Sequence, residues 1–228
     1  MKKVIVVVGY GPGISNAVAE KFGAEGFAVA LVARNKERLD AGVRALQAKG
    51  IEAAAFTADA GKPEEIAAAI ASAQKTLGPI ASLQWTAYGT GGGDVTKASV
   101  AELRGIFDVP VVGLVTAVQA ALPDLKAQKG SVLVTNGGLG FFDPAVDQVA
   151  VGWGAMGLAI ANSAKHKLVG LLSVKLAAEG VYVGEVVVNG TVKGTAFDGG
   201  NATIEPASVA NAFWKLQSGR SDVFVTVA

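Results

Sequence analysis

Cysteine is absent from the 228 residues, and histidine occurs once, at position 166. The first absence excludes disulfides and thiolate-held metals. The second excludes a site built from several imidazoles, so no metal is expected. Charge is scarce and evenly divided, with 20 lysines and arginines against 19 acids and no block of one sign. A nucleic-acid footprint needs a basic stripe or cluster, and the sequence offers none. Long apolar runs are missing too. Val109–Leu122 and Val149–Ala161 are the longest apolar stretches, and both fall below the roughly 18 residues expected of a membrane span, so they read as buried helices. Met1-Lys2-Lys3 before Val4–Val8 imitates a signal peptide. Its apolar core is too short, however, and a glycine turn follows where a cleavage site belongs. A cytoplasmic protein is the expectation.

What is present is an alternation of apolar, β-branched runs with helical patterns. Val4–Val8 is a continuous run of the kind found in a parallel strand buried on both faces. Helical spacing follows over Gly13 to Glu25, with Ile14, Val18, Ala19 and Phe22 on one side. Phe27–Ala33 reads as a second strand, Lys36 to Lys49 as a charged helix and Ile51–Thr57 as a third strand. Lys62-Pro63-Glu64-Glu65 opens another helix, with proline and acids in its first turn. Ile80–Ala87 is a fourth strand, running into Gly89-Thr90-Gly91-Gly92-Gly93. Two long helices are predicted near Lys97–Leu125 and Gly152–Glu179, with the strand Ser131–Thr135 between them. Strand Val181–Val188, a polar loop over Gly194–Glu205, helix Pro206–Gln217 and strand Asp222–Val227 complete the chain. Strands alternating with helices predict a doubly wound α/β fold of Rossmann type, with a parallel sheet and right-handed crossovers. No repeat or linker interrupts residues 1–228, so one domain is expected.

Gly9-Tyr10-Gly11-Pro12-Gly13-Ile14 joins the first strand to the first helix. Glycines there permit a tight turn and let backbone N–H groups approach a pyrophosphate at the helix N-terminus. A nicotinamide dinucleotide is the expected ligand, because the motif stands in its required context of strand, turn and helix. The second strand ends at Ala33-Arg34-Asn35. An acid at that point would hold a ribose 2′-hydroxyl, whereas arginine suits a 2′-phosphate. Arg34 therefore favours NADP(H) over NAD(H). Asp40 lies a turn and a half into the following helix, and Asp59, just past the third strand, is placed to meet the adenine amino group or to start the next helix.

These pieces, taken with Ala58-Asp59, Gly130-Ser131-Val132-Leu133-Val134, Lys165 through Leu171 and Gly190–Thr195, resemble the short-chain dehydrogenase/reductase family in order and spacing. The resemblance implies a doubly wound sheet of about seven strands and a nicotinamide ring over the carboxyl ends of the fourth to sixth. It implies cofactor contacts at Gly9, Tyr10, Gly11, Gly13, Ile14, Arg34, Asn35, Asp59, Ala60, Ala87, Lys165, Gly190 and Thr195. It also implies pairing of the two long helices across a two-fold axis, giving a homodimer or homotetramer.

Active members resembling this chain use a tyrosine, a lysine four residues later, a substrate-orienting serine and a water-holding asparagine. Hydride transfer to a carbonyl must be matched by a proton to its oxygen. Lys165 matches the lysine, but Ala161 stands for the tyrosine, Gly137 for the serine and Pro110 for the asparagine. Trp85-Thr86-Ala87-Tyr88 replaces the family's Asn-Asn-Ala-Gly stretch, and Asn189-Gly190 replaces a proline-glycine.

Tyr88 is the tyrosine best placed to substitute, on the nicotinamide rim; Tyr10 lies at the phosphate end and Tyr182 at the opposite rim. His166 is turned about 100° from Lys165 along the helix, away from the cleft. Asn136, Asp143, Asp147 and Asn162 fall where substrate is expected, and Asn136 is a candidate to orient a carbonyl. Leu139, Phe141, Phe142 and Trp153 suggest an apolar pocket or lid, or else core or interface, and Phe197 is placed to close over the same cleft. Three functions are compatible with this pattern: an NADP(H)-dependent oxidoreductase of a small carbonyl or alcohol, a nucleotide-binding pseudoenzyme, and a non-redox lyase or isomerase.

Overall fold

The computed structural model describes residues 2–89 and 91–228. Met1 of the N-terminal run and Thr90 of the glycine segment lie outside the described residues. Seven strands form one parallel sheet in the order β3-β2-β1-β4-β5-β6-β7. They are β1 (Val4–Val8), β2 (Ala28–Ala33), β3 (Ala53–Thr57), β4 (Ile80–Trp85), β5 (Ser131–Gly137), β6 (Tyr182–Val188) and β7 (Phe224–Val227). The order reverses between β1 and β4, and ligands of such sheets bind at the carboxyl ends beside that reversal.

Every residue of β1 is buried because helices cover both faces of the central strands. On one face, Val6, Val8, Trp85, Val132 and Val134 meet α3 (Pro63–Leu77), α5 (Leu114–Ala127) and α7 (Met156–Ala177). On the other, Ile5, Val7, Leu31 and Leu133 meet α1 (Ile14–Ala24), α2 (Lys36–Ala48) and α8 (Pro206–Gly219). Alternate residues of a strand face opposite ways, so a continuous apolar run is what a strand covered on both sides requires.

The two predicted long helices are each broken. Lys97–Leu125 resolves into α4 (Val100–Gly105), a wide turn over Asp108–Gly113, and α5. Pro110 has no N–H to donate, and Val112 N–H reaches back five residues to the Phe107 carbonyl, so the turn widens to π geometry. Similarly, α6 (Pro144–Gly152) ends before α7 begins, because Gly154 adopts a φ of 59° between them. Asp143 caps α6, its carboxylate accepting from Ala145 and Val146 N–H, and Asp147 is exposed on the same helix.

The helical stretch Val100–Ala127 contains an 18-residue window, of mean hydropathy 1.7, long and apolar enough by length and composition to cross a membrane. The run Val109–Leu122 is shorter because it stops short of Asp108 and Asp124, whereas a spanning window tolerates up to two charged residues. Ala117, Val118 and Ala121 of this stretch pack into the core beneath the sheet.

Candidate active site

The turn after β1 is shaped by its glycines. Gly9 has a φ of 88°, and a Cβ there would collide with the backbone of Ala87 at the end of β4. The N–H groups of Gly9 and Tyr10 both donate to the Val32 carbonyl, and Gly11 N–H donates to Ser15 Oγ at 2.9 Å. Those three donors are spent inside the protein. Helix α1, in contrast, starts at Gly13 with no side-chain cap, so the N–H groups of its first turn point outward without intrahelical partners. An uncapped helix start beside a glycine cradle fits a pyrophosphate.

Tyr10 turns away from that cradle. Its ring is buried against Gly42 of α2, its hydroxyl donates to Asn16 Oδ1 at 2.9 Å, and burial raises its pKa. Arg34 is exposed at the end of β2. Asn35 caps α2 by accepting from Arg38 N–H, and Asp40 is held by Lys36 at 2.7 Å. The Arg38 guanidinium lies alongside Gly11, so a second cation joins Arg34 at this end of the site. Sequence spacing alone carried no signal for Arg38. Asp59 Oδ1 accepts from Gly61 N–H at 3.0 Å, and Asp59 N–H donates to Glu65. Ala60 sits against Gly113 in the widened turn. On the far side of the sheet reversal, Gly190 packs on Ile204, and the Thr195 methyl would lie 2.7 Å from a Cβ at Gly13. The loop after β6 therefore closes over the start of α1.

Tyr88 and Phe197 approach across the mouth, their ring centroids 5.4 Å apart, with both side chains exposed. Tyr182 lies at the other rim, its hydroxyl donating to the Asp222 carbonyl at 2.6 Å and its pKa pushed up to about 12, chiefly by burial. Of the alternatives for the apolar segment Leu139, Phe141, Phe142 and Trp153, a single closed pocket is not formed among the described residues of the chain. Phe142 and Trp153 point to solvent, whereas Phe141 meets the His166 ring edge-on at 5.8 Å.

A buried polar cluster lies between the carboxyl end of β5, the middle of β6 and α7. Lys165 is 3% exposed, and desolvation lowers its pKa to about 8 against the opposing pull of Glu185. Glu185, on β6, is fully buried. One carboxylate oxygen accepts from Asn136 Nδ2 at 2.6 Å, and the other lies 2.5 Å from His166 Nδ1. Asn136 Nδ2 also donates to the Asn162 carbonyl at 2.9 Å, which leaves Asn136 Oδ1 buried without a partner. Ala161 is buried one turn before Lys165 on α7, and Pro110 is buried in the widened turn. His166, expected to turn away, instead joins the cluster by meeting the same Glu185 from the β7 side, its ring also packing on Phe224 at 5.2 Å. Glu185 escaped sequence reasoning, although one acid within Tyr182–Val188 was a visible signal.

Four similarities to known proteins bear on this arrangement. A sequence model of the family described as short chain dehydrogenase matches residues 3–196. A 2-(S)-hydroxypropyl-CoM dehydrogenase of Xanthobacter autotrophicus is 35% identical over 132 residues, 58% of this chain and 52% of that protein, so the match spans about half of the relative. An L-sorbose reductase of Gluconobacter frateurii, solved with NADPH and L-sorbose, superposes with a TM-score of 0.81 at 21% identity, covering 99% of this chain and 94% of that one. A short-chain oxidoreductase of Pseudomonas aeruginosa, NADPH-bound and described as containing an atypical catalytic center, gives 0.85 at 20% identity over 99% and 95% of the two chains. Similarity at that level of identity concerns the fold.

Proposed function

The chain belongs to the short-chain dehydrogenase family, and on that footing we propose that it is an NADP(H)-dependent oxidoreductase acting on a small carbonyl compound or its alcohol. The observation that carries this reading is Lys165. A lysine 3% exposed, with its pKa drawn down to about 8, costs stability that folding alone has no reason to spend. Its place on α7, within the influence of Glu185 on β6 and about one turn beyond Asn162, suits a group that binds ligand and handles a proton.

The residues divide the work. First-turn N–H groups of α1 hold the pyrophosphate, and Arg34 with Arg38 supplies charge for a 2′-phosphate. NADPH in the two related structures supports a nicotinamide cofactor, and the arginines support the phosphorylated form. A bound nicotinamide would exchange hydride with the substrate carbon. Lys165 binds the neighbouring ribose hydroxyls, and its ammonium, poised near neutral pH, stands in for the absent phenol as the source of the proton, directly or through water. Tyr88 and Phe197 shield the mouth. The oligomer implied by the family belongs to the same proposal.

One observation favours a second reading, nucleotide binding without turnover. Ala161 removes the phenol, and neither Tyr10 nor Tyr182 points into the cluster. Screening NADPH oxidation against small ketones and aldehydes decides between them. Turnover that falls at least a hundredfold in Lys165→Met supports the oxidoreductase. Saturable NADPH binding with no turnover across the panel supports the second reading.

A further inference from the structure

Gly137 has no side chain, yet the space one would occupy is filled. A Cβ at that position would lie 2.8 Å from Nδ2 of Asn162. Asn162 follows Ala161 on α7 and is 5% exposed. Gly138 is filled in the same way, with Asn189 Oδ1 2.6 Å from the position of a Cβ. Carboxamides from α7 and from the end of β6 thus reach into the place where a β5 side chain is missing.

The backbone carrying Asn162 is tied to the sheet. Its carbonyl accepts from Asn136 Nδ2 at 2.9 Å, and the same nitrogen donates to Glu185 Oε1 at 2.6 Å. Both partners are acceptors, so only one orientation of the Asn136 amide satisfies them; the flipped form would set oxygen against oxygen. Glu185 is in turn fixed by His166. The line Glu185, Asn136, Asn162 is a strut from β6 through β5 to α7.

We propose that Asn162 is the substrate-orienting residue of this protein, its carboxamide replacing the hydroxyl that Gly137 cannot supply. Nδ2 donates to the oxygen of a ketone or aldehyde, and Oδ1 accepts from the hydroxyl of the corresponding alcohol. Asn136 and Glu185 are positioning residues that hold the turn of α7 bearing Asn162. The proposal rests on the carbonyl-active reading above, which names the class of ligand. It also changes what repair of the site requires. Gly137→Ser alone must displace the Asn162 carboxamide, whereas Gly137→Ser with Asn162→Ala leaves the space clear.

The test is binding of N-cyclohexylformamide, a carbonyl compound that resists reduction, to NADPH-saturated protein by calorimetry. Asn162→Ala is expected to weaken binding about tenfold, the loss of one good hydrogen bond, with NADPH affinity unchanged. Glu185→Gln is expected to weaken it less, and to add nothing in the Asn162→Ala background. Gly137→Ser is expected to lower the melting temperature, and adding Asn162→Ala to restore both that temperature and probe binding. Equal probe affinity in wild type and Asn162→Ala overturns the proposal, as does a wild type that binds no probe. Failure of NADPH to bind would count against the cofactor reading alone. Probe binding without nucleotide would then decide the role of Asn162.

Discussion

Nδ1 of His166 lies 2.5 Å from Oε2 of Glu185, a carboxylate with no exposure of its own. The imidazole is held between the rings of Phe141 and Phe224, both edge-on. Removing it leaves a buried charge with fewer partners. His166→Leu is expected to destabilise the fold by about 2 kcal/mol in urea denaturation, since hydrogen bonds to charged groups contribute about 1.5–3 kcal/mol. Replacing both members with leucine should cost less than His166→Leu alone. The reverse order would show that Glu185 does not depend on the histidine.

Lys165 gives a prediction with a definite sign in pH. Its pKa falls from 10.5 to about 8 on folding because burial disfavours the ammonium. Between those two values the unfolded chain holds the proton more fully than the folded one. Stability therefore rises as pH climbs from about 8 to 10.5, and the cost of about 3 kcal/mol is fully present below pH 8. Lys165→Met should remove this dependence and melt higher than wild type at pH 7, while binding NADPH more weakly. A difference between wild type and variant that stays flat from pH 7 to pH 10 would contradict the burial argument.

Gly9→Ala is expected to abolish nucleotide binding and to cost about 1–3 kcal/mol of stability. A methyl group there meets the Ala87 backbone, and the φ of 88° suits glycine alone. Thermal unfolding with and without NADPH reads both effects.

Arg34→Ala is expected to weaken NADPH by about tenfold or more while leaving NADH within twofold, because under the proposed reading the lost charge would face only the 2′-phosphate. Arg38→Ala should act in the same direction, given its place alongside Gly11. Equal losses for both nucleotides would assign these arginines a structural role.

The sheet and its helices were legible in the sequence because a continuous buried run such as Val4–Val8 admits few other readings. The breaks at Pro110 and Gly154 were less legible, since apolar periodicity continues through both and only local backbone chemistry interrupts it. At the site, the small residues Gly137 and Ala161 were legible against the motif that the chain resembles. What fills the space was not. Asn162 lies against Gly137, Asn136 joins β5 to the same turn of α7, and Glu185 joins Asn136 to His166 across β6. Contacts between residues so far apart in the chain leave no mark in local spacing. Tyr10 shows the opposite limit. The motif places it among the cofactor contacts, whereas its ring packs into the interface with α2.

The central claim is that the turn after β1, with Arg34 and Lys165, is a working NADP(H) site. Fluorescence titration of the purified protein with NADPH and with NADH tests it most directly. Saturable binding is expected for NADPH, at least tenfold tighter than for NADH, and weakened in Lys165→Met. Absence of binding by either nucleotide at millimolar concentration would contradict it.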